Sequence, residues 1–314
     1  MSLVTDSVSI LLNGLQQGSI YVLLAVGLSI ILGTLEFVNF AHGALYIIGA
    51  YFGLYVAAEL TLTEGYLAGM GFESIGLGAG FVVALIAVTV VVFVIGLLME
   101  RFLARAFYDR PDTDQILVTF GMAIVVQEVL RLMFGSNSQP FPQPIEGSVP
   151  IPGVAISWWR IAIIGLTAVL VLAVYFVIEY TDFGLVVRAG TEDPEMVQLL
   201  GIRITRPYIV VFGIGAALAG IAGVIGGPLS PINPTAGTEI LVPAFITVVI
   251  GGVGSIRGAV LGGLTLGMVS AILVQTSIGS YNLSIWSDVG IYVIAAVVLL
   301  WRPQGILGTE VSST

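Results

Sequence analysis

Cysteine is absent from the 314 residues, which excludes disulfides, thiolate metal sites and thiol nucleophiles together. Lysine is absent as well, since all ten basic residues are arginine. A phosphate-cradling loop of the Gly-x4-Gly-Lys-Ser/Thr kind needs that lysine, so the chain carries no such ATP site of its own. The single histidine, His42, cannot build a multi-histidine metal centre, and neither a metal nor another cofactor is expected. Charge of either sign is scarce at 9% of residues, and the nineteen acidic side chains leave a net charge of -9. So acidic a chain is a poor partner for nucleic acid. It suits a high-salt, halophilic setting, where carboxylates keep surfaces hydrated and screening weakens their repulsion.

What the chain does have is apolar residues, 57% of the total, with a mean hydropathy of +1.07. That composition belongs to a polytopic membrane protein, an all-α transmembrane helical bundle in contact with the lipid bilayer. A span needs about 20 residues. The uncharged run from Ser7 to Leu35 is the first, with Asn13, Gln16 and Gln17 in its first half. It is too long, and its flank too poor in positive charge, for a cleavable signal. Further candidates run from Phe37 to Ala58, Ser74 to Met99, Gln115 to Phe134, Ile161 to Ile178, Tyr208 to Gly226, Ile240 to Ile256, Gly258 to Thr276 and Asp288 to Trp301. The expectation is eight or nine spans in a single permease domain covering residues 1–314.

The connections carry the polar signals. Glu59 to Glu73 reads as a polar loop, and Glu100 to Asp114 as a short loop holding Arg101, Arg105 and Arg110. Glu128 and Arg131, three apart near the end of a span, can neutralise each other. Gly135 to Trp159 contains five prolines and ends on Trp158 and Trp159, which read as interfacial anchors. Placing loop 100–114 in the cytoplasm puts residues 184–207, Arg257 and Arg302 there by parity. Eight of the ten arginines are then inside, as the positive-inside rule asks. The N-terminus falls outside and the C-terminus in the cytoplasm.

Residues 184–207 form a charged insert between two apolar runs. Asp193 can cap a helix and Pro194 suits its first position. Glu192, Asp193 and Glu195 favour the positive end of the dipole, Met196, Val197, Leu199 and Leu200 supply an apolar face, and Gly201 ends the helix. So short a helix is not stable alone, and needs either its own chain or a partner to lie on.

Two other stretches interrupt apolar runs with polar residues and glycine. One holds Glu36, Asn39, His42 and Gly43; the other holds Gly251, Gly252, Gly254, Ser255 and Arg257. His42-Gly-Ala-Leu echoes Arg257-Gly-Ala-Val, as an internal repeat would. Interrupted helices in corresponding halves point to a substrate pathway. Most of the forty glycines have the plainer role of letting helices approach closely.

These stretches also resemble a known family. Asn13-Gly-Leu-Gln-Gln-Gly-Ser-Ile-Tyr21, Gly27-Leu-Ser-Ile-Ile-Leu-Gly33 and Asn39-Phe-Ala-His-Gly43 are similar to the N-terminal signature of LivH-type permeases of branched-chain amino acid ABC importers. Arg188-Ala-Gly-Thr-Glu-Asp-Pro-Glu-Met196 with Leu200-Gly-Ile202 resembles that family's cytoplasmic coupling loop, and Gly251-Gly-Val-Gly-Ser255 with Gly258 its late glycine motif. The lack of a long N-terminal extension suits the LivH-like rather than the LivM-like half of a permease pair. The resemblance implies a non-enzymatic, multi-pass cell-membrane subunit, carrying branched-chain amino acids inward. Its implied partners are a second, LivM-like permease, two cytoplasmic ABC ATPases and an external substrate-binding protein. It implies coupling to the ATPase through Arg188 and residues 192–201. Permeases of urea and short amides share the pattern. From the residues alone an ion-coupled carrier stays open, with Glu36, Glu128 and Asp288 as its ion sites. The isolated chain is expected to hydrolyse no ATP, and measurable nucleotide turnover by the purified subunit would contradict that expectation.

Overall fold

The computed structural model describes residues 3–60, 76–151, 154–278 and 281–308. Most of the polar loop expected at 59–73 lies outside them, and so does the side chain of Asp288. The described residues are 80% helical. The helices are α1 (Leu3–Leu35), α2 (His42–Leu54, continued by a π turn over Tyr55–Leu60), α3 (Gly76–Phe102), α4 (Asp112–Phe134), α5 (Trp158–Tyr180), α6 (Asp182–Glu192), α7 (Pro194–Leu199), α8 (Thr205–Gly226), α9 (Ala236–Gly251), α10 (Ile256–Gln275) and α11 (Ser287–Trp301). Strand content among the described residues is two short antiparallel hairpins. In one, β1 (Ser148–Ile151) pairs with β2 (Val154–Ser157), Ser148 opposite Ser157; in the other, β3 (Ser277–Ile278) pairs with β4 (Tyr281–Asn282).

Among the described residues six helical stretches are long and apolar enough to cross a membrane: Asp6–Leu35, Gly78–Phe107, Asp112–Phe134, Trp158–Tyr180, Thr205–Leu229 and Ile256–Gln275. The other expected spans correspond to shorter apolar helices, His42–Ala57, Ala236–Gly251 and Val289–Trp301. Their shortness has a local cause. The first follows a break at 36–41, and the second contains Pro243 and stops at a glycine-rich turn.

The chain resolves into two compact units, Met1–Ser29 with Glu146–Ala173 and Val242–Thr314, and Ile30–Ile145 with Val174–Leu241. In the second unit α8 is buried along Val211–Gly226, with α2 and α3 both against it. Glycines make that possible. A Cβ on Gly223 would collide with the carbonyl oxygen of Tyr46, one on Gly49 with the backbone of Gly220, and one on Gly220 would lie 2.7 Å from Val92. At one end Ile31, Leu35, Phe37, Ala104 and Phe212 close a core, with Tyr108 edge-on to Phe37 at 5.8 Å. In the first unit α1 and α10 use the same device: Gly18 approaches Gly263, and a Cβ on Gly263 would lie 2.6 Å from Val22.

Some sequence expectations need correction. Trp158 is half-exposed, whereas Trp159 is 2% exposed and is a core residue rather than an interfacial anchor. The hairpin β1–β2 delivers the chain directly into α5, whose first turn points Trp159 inward. Glu128 and Arg131 do pair, at 2.9 Å, on a part-exposed face.

The close approaches predict a contrast between two glycines. Gly223→Ala is expected to cost ~1–3 kcal/mol through overpacking. Gly121→Ala, with nothing within 4 Å of the new Cβ, should be neutral or stabilising. Thermal unfolding of the two detergent-solubilised variants checks both.

Candidate functional site

The break between α1 and α2 is built from backbone strain and side-chain ties. Glu36 opens it with a φ of 49°, a left-handed conformation that a residue with a Cβ rarely adopts. Its side chain is exposed, unlike those of its neighbours Phe37, Asn39 and His42, each 0% exposed. Residues 37–41 run without helical bonds, so their N–H groups need other partners. Two residues one turn apart on α4 supply them. Gln115 Oε1 accepts from the Val38 N–H at 2.9 Å, and Thr119 Oγ1 accepts from the Phe40 N–H at 3.0 Å. Asn39 Oδ1 accepts from the Ala41 N–H at 3.0 Å, an Asx turn that feeds the chain into α2. Its Nδ2 is buried with no hydrogen-bond partner.

Beyond the break, α2 and α9 touch through glycine. A Cβ on Gly43 would overlap the carbonyl of Gly237, and one on Gly237 that of Gly43. Beside this contact is a small, mainly apolar cleft lined by Phe40, Ala44, Phe120, Gln127, Gly237 and Thr238. Its polar pair is Thr238 Oγ1 donating to Gln127 Oε1 at 3.3 Å.

The loop after α3 is locked beneath the break. Glu100, with a side chain 1% exposed, takes a two-pronged bond from Arg105, Nη2 to Oε2 at 2.8 Å and Nε to Oε1 at 3.2 Å. The Tyr108 hydroxyl donates to Glu100 Oε1 at 3.0 Å. Burial, and then the Glu100 carboxylate, push the Tyr108 hydroxyl far above the ordinary tyrosine range, so it remains a donor at any physiological pH.

The second interrupted stretch is a tight corner. Gly252 and Gly254 have φ of 102° and 79°, and Ser255 Oγ accepts from the Gly258 N–H at 3.0 Å to cap α10. Gly251 and Gly258 are so close that a Cβ on either would overlap the other's backbone. Against this corner lies the segment after α11. The Ile306 N–H donates to the Ile250 carbonyl at 2.7 Å and the Leu307 N–H to the Gly251 carbonyl at 3.0 Å, satisfying the last carbonyls of α9. These positions therefore have defined packing roles. Each echoing tetrapeptide lies in the first turn of a helix, after a break that uses positive φ.

The insert at 184–207 folds as two helices rather than one. α6 is capped by Thr181, whose Oγ1 accepts from Gly184 N–H at 3.2 Å, and it runs to Glu192, which ends this helix instead of starting the next. Glu192 therefore sits at the negative end of α6. Asp193 caps α7, accepting from Met196 N–H at 2.8 Å, with Pro194 at the first position. Gly201, φ 81°, ends it with paired bonds from Gly201 N–H to the Gln198 carbonyl and Ile202 N–H to the Val197 carbonyl. Val197 is 5% exposed and packs within the chain, so it is not available to a partner. Leu199 and Leu200 are 81% and 71% exposed, and Met196, Glu192, Asp193 and Glu195 are exposed too. Arg188 is bound to its own chain, through the Ile178 carbonyl and Glu179.

The family model described as "Branched-chain amino acid transport system / permease component" matches residues 10–301. The chain belongs to this family. It is 34% identical over 304 residues to the high-affinity branched-chain amino acid transport system permease protein BraD of Pseudomonas aeruginosa, covering 95% of this chain and 94% of the relative. The corresponding LivH proteins of Salmonella typhimurium and Escherichia coli are 34% and 33% identical, each with 94% of both chains covered.

Sequence reading of this permease missed Gln115 and Thr119, the residues that hold the break. Polar residues four apart at the start of an apolar span were the available signal. It also missed the role of the final segment on the corner at Gly252. Gly252→Val is expected to cost ~1–2 kcal/mol in backbone strain alone, and to displace that segment because the new Cβ meets the backbone of Gly308. Faster amide exchange at Ile306 and Leu307 than in the unaltered permease would register the displacement.

Proposed function

We propose that this permease is the membrane-spanning subunit of an ABC importer that carries branched-chain amino acids into the cell. The observation that carries the reading is the end-to-end alignment with relatives whose names state that transport. In this reading the chain lies in the cell membrane with eight or nine spans, the three short apolar helices supplying those beyond the six long ones. Its N-terminus is outside and its C-terminus in the cytoplasm. It pairs with a LivM-like permease, two ATPases and an external binding protein, and it performs no ATP chemistry itself. The substrate path passes the break at Asn39, His42 and Gly43, and involves the Gly251, Gly252, Gly254 and Ser255 corner, the two breaks being related by an internal duplication. Of the carboxylates an ion-coupled carrier would use, Glu128 is already paired with Arg131.

The ATPase contact in this proposal is the exposed side of α7. Apolar anchors carry most of the energy of such contacts and exposed rim charges little. Met196, Leu199 and Leu200 are the anchors, and Glu192, Asp193 and Glu195 the rim. Met196→Asp or Leu200→Asp is expected to abolish co-purification with the ATPase and leave the permease folded, since burying an unpaired charge in the contact costs several kcal/mol. Val197→Asp should instead destabilise the permease itself. Wild-type yields of ATPase with well-folded Leu200→Asp would overturn the assignment.

A further inference from the structure

We infer that Gln115 is a positioning residue of the transport pathway, the tie through which the loop after α3 sets the conformation of the broken helix. The inference rests on the reading of the break at 36–43 as part of that pathway. Gln115 is 2% exposed, and both ends of its amide are used. Oε1 accepts from Val38 N–H at 2.9 Å, inside the break, while Nε2 donates to the carbonyls of Phe107 and Arg110, each at 3.2 Å, in the loop. One side chain thus binds three segments of the chain: α4, the break and the loop. Thr119, one turn on, adds the bond to Phe40 N–H and anchors its own hydroxyl on the Gln115 carbonyl at 2.7 Å.

The loop end of this tie is rigid. The buried Glu100 holds Arg105 and Tyr108, and Tyr108 sets its ring edge against Phe37, the residue before Val38. The other end is under strain, because Glu36 keeps its φ of 49° only while its surroundings impose it. A displacement of the loop is therefore delivered to the Val38 amide through Gln115 and to Phe37 through Tyr108. A glutamine that merely filled space would have needed neither the alignment of both amide ends nor partners on two separate segments.

Two substitutions divide the tie. Gln115→Glu keeps an acceptor for Val38 N–H but sets a second acceptor against the carbonyls of Phe107 and Arg110; Gln115→Leu removes both connections. They are compared in membranes carrying the whole transporter, in single-cysteine Phe40→Cys and unaltered backgrounds. The natural absence of cysteine makes the unaltered chain the labelling blank. Expected is a loss of uptake per folded complex of about tenfold in both, the scale of one or two buried hydrogen bonds, with ATP hydrolysis retained, so that fewer substrate molecules move per ATP. Labelling of Cys at position 40 by a water-soluble thiol reagent during turnover should occur with Gln115 present and change in rate in both variants. Unchanged uptake, unchanged coupling ratio and unchanged labelling in both variants would overturn the tie and leave the pathway reading standing. A position 40 that is never labelled, in any background, would overturn the pathway reading and the tie with it. Uptake that falls only in proportion to the amount of folded complex, at a constant ratio to ATP hydrolysed, would reduce Gln115 to a structural residue.

Discussion

Backbone N–H and C=O groups cannot be left without partners where water is excluded, and this single constraint explains the unusual features of the permease. Six helices satisfy it within themselves. Among the described residues, the breaks at 36–41 and 252–255 do not, and there the chain brings partners from far away in sequence. At the first, the side chains of Gln115 and Thr119 meet the amides of Val38 and Phe40, alternate residues of the non-helical stretch. At the second, the amides of Ile306 and Leu307 meet the final carbonyls of α9.

Around these breaks the helices are packed by glycine. In a bilayer lipid tails are as apolar as leucine, so helices associate through close contact rather than through exclusion from water. α8 makes the point within its unit: Gly220 has Gly49 on one side and Val92 on the other, and Gly223 admits the Tyr46 carbonyl. Such contacts have little tolerance, since a methyl group already overlaps backbone. Closely packed helices joined by a few breaks with positive φ are an arrangement in which motion is concentrated at the breaks.

The sequence was most legible where the signal is local. Asp193 and Pro194 start α7 and Gly201 ends it, because capping chemistry is decided within a few residues. Every expected apolar run has a helix, and the match to a permease family follows from motifs spread along the whole chain. It was least legible where the partner is distant. Nothing near Gln115 announces that it binds Val38, 77 positions away. Val197 and Leu200 are both apolar residues of one short helical turn, and only the packing of that turn shows that the first is buried and the second exposed. Charge alone puts Glu192 in the wrong helix, because Thr181, the residue that caps the start of α6, lies outside the charged insert.

Site-resolved hydrogen–deuterium exchange at the Val38 and Phe40 amides, in the lipid-embedded permease, tests whether side chains from α4 hold the break. Held by Gln115 and Thr119, both amides should exchange as slowly as those of the adjoining turn of α2, although neither is in a helix. Exchange at the rate of an open, solvated loop would show that Gln115 and Thr119 do not hold them.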